Sequence, residues 1–165
     1  MNAARHAAQR GFTLIEMVVV VAIVGVLAAA AVPLHEMALR RAQESTLREA
    51  LRTLRGAIDA HRDAVAAKRI AAGPEGSPYP PTLQALTRGV PLLDDQGQAQ
   101  DSGRLYLLRR LPRDPFADPT LTAEQTWAAR SSSSPPDAPA PGADVFDVAS
   151  RSEGRALDGT QYRDW

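Results

Sequence analysis

The chain has 165 residues, room for one modest domain plus an appendage, and its 19 basic side chains balance 19 acidic ones. That balance gives no support to a nucleic-acid binder, which usually carries a basic excess on one face. With no cysteine in the sequence, disulfides, zinc–thiolate sites and a cysteine nucleophile are excluded.

The first eleven residues carry charge only at Arg5 and Arg10, with His6 between them, and end at Gly11. An apolar run then extends from Phe12 to Leu34, interrupted by a single carboxylate, Glu16. About 20 apolar residues span a bilayer, and basic residues ahead of such a run favour a cytoplasmic N-terminus. A charge at the centre of a membrane helix costs roughly 2.5–3.5 kcal/mol for Asp, Lys or Arg, so Glu16 marks a functional position that needs a partner. No Lys or Arg lies between Phe12 and Leu39, which points to a partner on another chain. Two plainer readings compete. One is a secretory signal with a small-residue cleavage site at Ala28-Ala29-Ala30-Ala31, although the apolar run exceeds the usual signal core. The other is a single-pass anchor; neither accounts for Glu16.

Beyond Pro33 the pattern becomes amphipathic. Leu47, Leu51, Leu54, Ile58, His61 and Val65 recur at three- and four-residue spacing, while Arg48, Glu49, Arg52, Arg55, Asp59 and Arg62 take the other face. The spacing predicts one helix from Phe12 to Arg69, roughly 85 Å long at about 1.5 Å per residue, with His61 half-buried on it. Pro33 removes one backbone hydrogen bond and can kink the helix. Such a helix exceeds any compact domain of this size, so its first half belongs in lipid or among other subunits. Gly73-Pro74-Glu75-Gly76 stops it. Tyr79 to Leu86 reads as an extended lead-in to a short helix with Thr82 as a possible cap, before a polar turn at Asp94-Asp95-Gln96-Gly97. Three short strand candidates come next, 104–108, 125–130 and 144–149, with a Ser/Pro/Ala-rich exposed loop at 131–142. They make only a small sheet, which needs the long helix as its second layer.

Gly11-Phe12-Thr13-Leu14-Ile15-Glu16 resembles the leader signal of type IV pilins and their relatives. The resemblance implies that a prepilin peptidase/N-methyltransferase cuts between Gly11 and Phe12 and methylates the new amine of Phe12. It also implies that Glu16 sets subunit register by meeting the N-terminal amine of a neighbouring copy, and that Pro33 bends the helix. Tyr79-Pro80, Leu111-Pro112-Arg113-Asp114-Pro115-Phe116, Val145-Phe146-Asp147-Val148 and Asp164-Trp165 are similar to the major pseudopilins of type II secretion systems. The implied fold is α+β and pilin-like: leader 1–11, membrane and filament-core helix 12–34, amphipathic continuation 35–72, periplasmic globular region 73–165. The implied work is polymerisation into a periplasmic pseudopilus that drives export of folded proteins, with further copies, minor pseudopilins and inner-membrane platform proteins as partners and lipid as the medium before assembly. A minor type IV pilin and a non-polymerising anchored periplasmic binding domain are the alternatives.

The same resemblance implies calcium in the loop 150–161, where Glu153 and Asp158 are the carboxylates available and Gln161 stands about where a second aspartate is expected. Calcium takes six to eight oxygen ligands, and Arg151 and Arg155 sit among these two; the other reading is a loop pinned by ion pairs such as Glu153 with an arginine. No enzyme pattern appears. His6, His35 and His61 are too scattered for a ligand set, Asp94, Asp95, Asp114 and Asp118 lie in turn contexts, and Ser131–Ser134 lacks a nucleophile-elbow glycine pattern.

Overall fold

A computed structural model describes residues 12–165; the leader, with Gly11, lies outside the described residues. The chain divides into two units, one ending at Arg40 and one comprising Arg41–Trp165. Helix α1, Leu14–Ala66, is assigned without a break at Pro33. Up to Leu39 its described apolar side chains touch little of their own chain: Leu14 is 83% exposed and Val26 71%. It is the one helix among the described residues long and apolar enough to cross a membrane.

The helix stops earlier than its Gly/Pro signal. Lys68 takes a left-handed backbone (φ 54°), Lys68 N donates to Val65 O and Arg69 N to Ala64 O, both at 2.9 Å. This paired pattern is a Schellman stop with a lysine in the position glycine usually fills. The early exit has a tertiary cause: Ile70 is buried and bridges to Leu92, and Leu93 N donates to Arg69 O. Those contacts outweigh the helix propensity of Ala67, Lys68 and Ala71.

Within the second unit, α1 presents Leu47, Ala50, Leu51, Leu54, Ala57 and Ile58 to a core completed by Leu83, Leu86, Trp127, Val145, Val148, Ala156 and Tyr162. Fully burying a leucine or isoleucine contributes about 1.5–3 kcal/mol, so this stripe is what holds the sheet that carries Trp127 and Val148. His61 is buried at 2% exposure, not half-buried, because its ring Nδ1 donates to Pro78 O at 2.9 Å. Burial pushes the imidazole down from its ordinary 6.5, with the Pro78 bond opposing.

Among the described residues four strands form two separate two-stranded antiparallel sheets, where the sequence predicts three strands in one. Strand β1, Val90–Leu93, pairs with β2, Ala99–Leu105, with an irregularity between Pro91 and Leu93. Pro91 hides β1 from a sequence reading, since proline cannot donate to a ladder and is confined to edges and bulges. The predicted segment 104–108 therefore begins earlier, at Ala99, and leaves the sheet after Leu105. The Asp94–Gly97 turn is present: Asp94 Oδ1 accepts from Gln96 N and Gln98 N, and Gly97 has φ 77°. Helix α2, Ala85–Arg88, lies just past Thr82, whose Oγ1 accepts from Ala85 N at 3.3 Å. It ends on Gly89 (φ 79°), where a Cβ would meet the Tyr106 ring at 2.7 Å. Strand β3, Trp127–Arg130, pairs in regular register with β4, Asp147–Ser150.

Candidate assembly site and the C-terminal loop

The sequence offers Glu16 no cation on its own helix, but the structure gives its carboxylate two local donors. Glu16 Oε2 accepts from Thr13 N at 3.0 Å and from Thr13 Oγ1 at 3.1 Å, while Glu16 N donates to Thr13 Oγ1 at 3.3 Å. This is a reciprocal capping box across Thr13-x-x-Glu16, and the acidic residue also complements the positive end of the helix. The spacing of three from Thr13 is a helix-start signal, and these neutral donors stand beside the expectation of a cation on another chain, since they bring no positive charge to the carboxylate. Both local bonds fall on Oε2. Phe12, next to the cap, is 78% exposed.

The Leu111–Phe116 block is a pinned turn. Trp127 Nε1 donates to Pro112 O at 2.9 Å, Ser150 Oγ donates to Asp114 Oδ2, and Phe116 N donates to Asp114 Oδ1 at 2.8 Å. The Phe116 ring stacks on Tyr162 with centroids 4.2 Å apart. This ties the block to the C-terminal loop.

That loop is held by a polar stripe on α1. Glu44 is buried at 4% exposure and its Oε1 accepts from Leu157 N at 2.8 Å and from Tyr162 Oη at 3.1 Å. Arg48 faces Asp158 Oδ2 at 3.6 Å and lies over the Trp165 ring, 4.0 Å from its centroid. Arg55 donates to Asp147 Oδ1, Val148 O and Trp165 O at 2.7, 3.0 and 2.7 Å. Hydrogen bonds to charged groups contribute about 1.5–3 kcal/mol each, whereas an exposed ion pair such as Arg48–Asp158 contributes at most about 1 kcal/mol. Glu44 and Arg55 therefore dominate. The periodicity misses Glu44, since a charged residue on the apolar stripe reads as a break in it.

The two carboxylates considered for calcium are not brought together as a ligand set. Asp158 Oδ1 accepts from Thr160 N and Thr160 Oγ1, at 2.9 and 2.6 Å, and these bonds hold its carboxyl below the usual aspartate value. Glu153 is exposed, and among the described residues it forms no ion pair with Arg151 or Arg155. Among the described residues no group of three His, Asp or Glu side chains converges on a metal-sized space. The donors present do not fit a calcium ion. The pinning ion pair is made by Asp158 with Arg48 of the helix, not by Glu153 with a neighbouring arginine.

Besides Glu44 and Asp114, a third buried carboxylate is not marked by the sequence pattern. Asp144, at 4% exposure, accepts from Ser131 Oγ, Ser132 N, Ser132 Oγ and Ser77 Oγ at 2.5–2.9 Å, so the serine-rich loop is anchored at its base. Burial alone raises this carboxyl, but the donors from Ser132, Ser77 and Ser131 outweigh it and hold it at about 2, against an ordinary 3.8. Because the folded value is depressed, the stabilisation is complete above the unfolded value and is lost as pH falls through about 2. Asp144→Asn is expected to cost on the order of 1–2 kcal/mol at neutral pH. In urea-unfolding series the variant should also show a shallower loss of stability between about pH 4 and pH 2 than the parent; equal slopes would refute the assignment.

An apolar helix entered through a capped Phe-Thr-x-x-Glu segment, carrying a small α+β head on its second half, defines a pilin-like subunit. Residues 6–32 match the prokaryotic N-terminal methylation motif. The chain is 33% identical over 108 residues to type II secretion system core protein G of Klebsiella pneumoniae, covering 66% of this chain and 69% of that protein. It is 51% identical over 49 residues to a fimbrial protein of Moraxella nonliquefaciens (28% of this chain, 32% of that protein). It is 45% identical over 51 residues to type IV major fimbrial protein FimA of Dichelobacter nodosus (31% of this chain, 33% of that protein). No solved structure matches the chain. The chain belongs to the type IV pilin-like superfamily.

Proposed function

We infer that this chain is a structural subunit of a type II secretion pseudopilus. The observation that carries the reading is the length of the match to core protein G: 108 aligned residues exceed the 53 of α1 and so reach into the globular head. The fimbrial matches, at 49 and 51 residues, are no longer than that helix. Their higher local identity favours a type IV pilus subunit as the second reading. In either case the work is mechanical. The prepilin enters the inner membrane with its N-terminus cytoplasmic and its head periplasmic. A peptidase then cuts between Gly11 and Phe12, where the glycine lets extended backbone sit in a tight cleft without a Cβ, and the Phe12 amine is methylated. Subunits then join through heterologous contacts that do not close, giving an open helical polymer. Burial of the bare apolar face from Phe12 to Leu39 supplies the drive, at roughly 25 cal/mol per Å² before entropy costs. Pro33 is assigned the bend that fits this helix to its neighbours.

Mass spectrometry of the mature polypeptide tests the first step. The expected N-terminus is methylated Phe12, and Gly11→Ala should leave the leader attached; a mature chain starting at Met1, or after Ala31, defeats the reading. Deleting the gene separates the two roles: retention of normally exported proteins in the periplasm supports the pseudopilus, and loss of surface pili with intact export supports the pilus.

A further inference from the structure

We propose that the loop 151–165 of this chain is a metal-independent lock, in which arginines stand in the electrostatic place of a divalent cation, so that the folded subunit neither needs nor takes up calcium. A calcium ion in a loop does two jobs: it neutralises carboxylates and gathers carbonyl oxygens. Here guanidinium groups perform both. Arg48 of α1 faces Asp158 Oδ2, leaving Thr160 to satisfy Oδ1. Arg155 Nη1 donates to Gly159 O at 3.2 Å, and Arg151 Nε donates to Trp127 O at 2.9 Å. Arg55 Nη2 takes Val148 O and Trp165 O. Within the loop the Asp158 carboxylate, Gly159 O and Trp165 O are thus committed to fixed cations, while Arg151 and Arg55 also tie it to β3 and β4, and four arginines around one short loop oppose the approach of a doubly charged ion.

The lock is geometric as well as electrostatic. Glu44, Arg48 and Arg55 are spaced by four and seven residues, which places them on one helix face. From there Glu44 holds the loop's centre at Leu157 and Tyr162, Arg48 its Asp158 turn and Trp165 ring, and Arg55 its end. Trp165 Nε1 closes the circuit on Thr160 Oγ1 at 2.7 Å. A planar, permanently charged guanidinium suits this role better than lysine, because it stacks on an aromatic face while donating in its own plane. The inference does not depend on the polymer-forming reading, since it concerns only how the head is held together.

The test uses the mature full-length chain in detergent micelles, with thermal unfolding followed by tryptophan fluorescence, to which Trp165 in the lock and Trp127 in the core both contribute. Midpoints in millimolar calcium chloride, in magnesium chloride and in EDTA are expected to coincide. A saturable rise with calcium that magnesium does not reproduce, or a fall in EDTA, overturns the proposal. Arg48→Ala is expected to lower the midpoint by about 4 °C and to open 151–165 to limited proteolysis, and calcium should restore neither. Should Arg48→Ala not fold, Asp158→Asn, which keeps the Thr160 contacts, is read the same way. A wild-type midpoint and wild-type protease resistance in the readable variant would show that the arginine does not hold the loop. Neither result touches the mass of the N-terminus, so failure here is distinct from failure of the secretion reading.

Discussion

Glu16→Leu is expected to leave the chain inserted and cleaved at Gly11 but to abolish its assembly into filaments. Two separable contributions are lost. The local one is the capping box with Thr13, whose removal costs about 0.5–2 kcal/mol of helix stability. On the proposed assembly the other lies between subunits: with leucine at this position, the methylated amine of a neighbouring copy would enter an apolar bundle with no counter-charge. Breaking a buried pair costs about 3–5 kcal/mol, or roughly 10² to 4 × 10³-fold in each subunit contact at 1.4 kcal/mol per decade. The cap cannot account for a loss that large, which gives a clean control. Glu16→Gln keeps the reach back to Thr13 N that a capping box requires but carries no charge. Filament yield after shear release, scored by immunoblot and negative-stain microscopy, should be absent for both variants. Normal filaments from Glu16→Gln would mean that the carboxylate acts as a cap alone.

The largest loss of stability in the head is expected from Trp127→Ala. Trp127 is 1% exposed, packs in the core at the start of β3, and ties the Leu111–Phe116 block down through Nε1 to Pro112 O. Truncating a buried aromatic to alanine costs about 3–5 kcal/mol, a large share of the 5–15 kcal/mol typical of a whole domain. Trp127→Phe keeps most of the packing and removes only the donor, leaving Pro112 O unsatisfied at a cost of about 1–3 kcal/mol. Urea unfolding of the full chain should rank the parent above Trp127→Phe and Trp127→Ala last. If phenylalanine proves as stable as tryptophan, the hydrogen bond to Pro112 is not what fixes the block.

The parts legible in the sequence are those governed by local pattern. The apolar run from Phe12, the stripe Leu47, Leu51, Leu54 and Ile58, and the Asp94–Gly97 turn all appear where periodicity and turn chemistry place them. The misses share another origin. Strand β1 is hidden by Pro91, which is tolerated because this strand meets β2 across an irregularity. The helix ends at Ala66 and not at its glycine, because Ile70 is drawn into a bridge with Leu92. Asp144 and Glu44 look like surface charges by composition, and only their donors, brought from 12 to 118 residues away, make them buried anchors. His61 is drawn fully inside by one carbonyl across the loop.

Spacing along a single helix is a local property, and it suffices to dictate the membrane-competent segment, the cap between Thr13 and Glu16, and the apolar stripe on which the head is built. The division into two small sheets, the early helix stop, and the arginine and serine networks that anchor the loops arise only on folding. They depend on which carbonyls and carboxylates the folded chain brings within hydrogen-bond reach of a donor, and residues far apart in sequence acquire that relation only when the core closes.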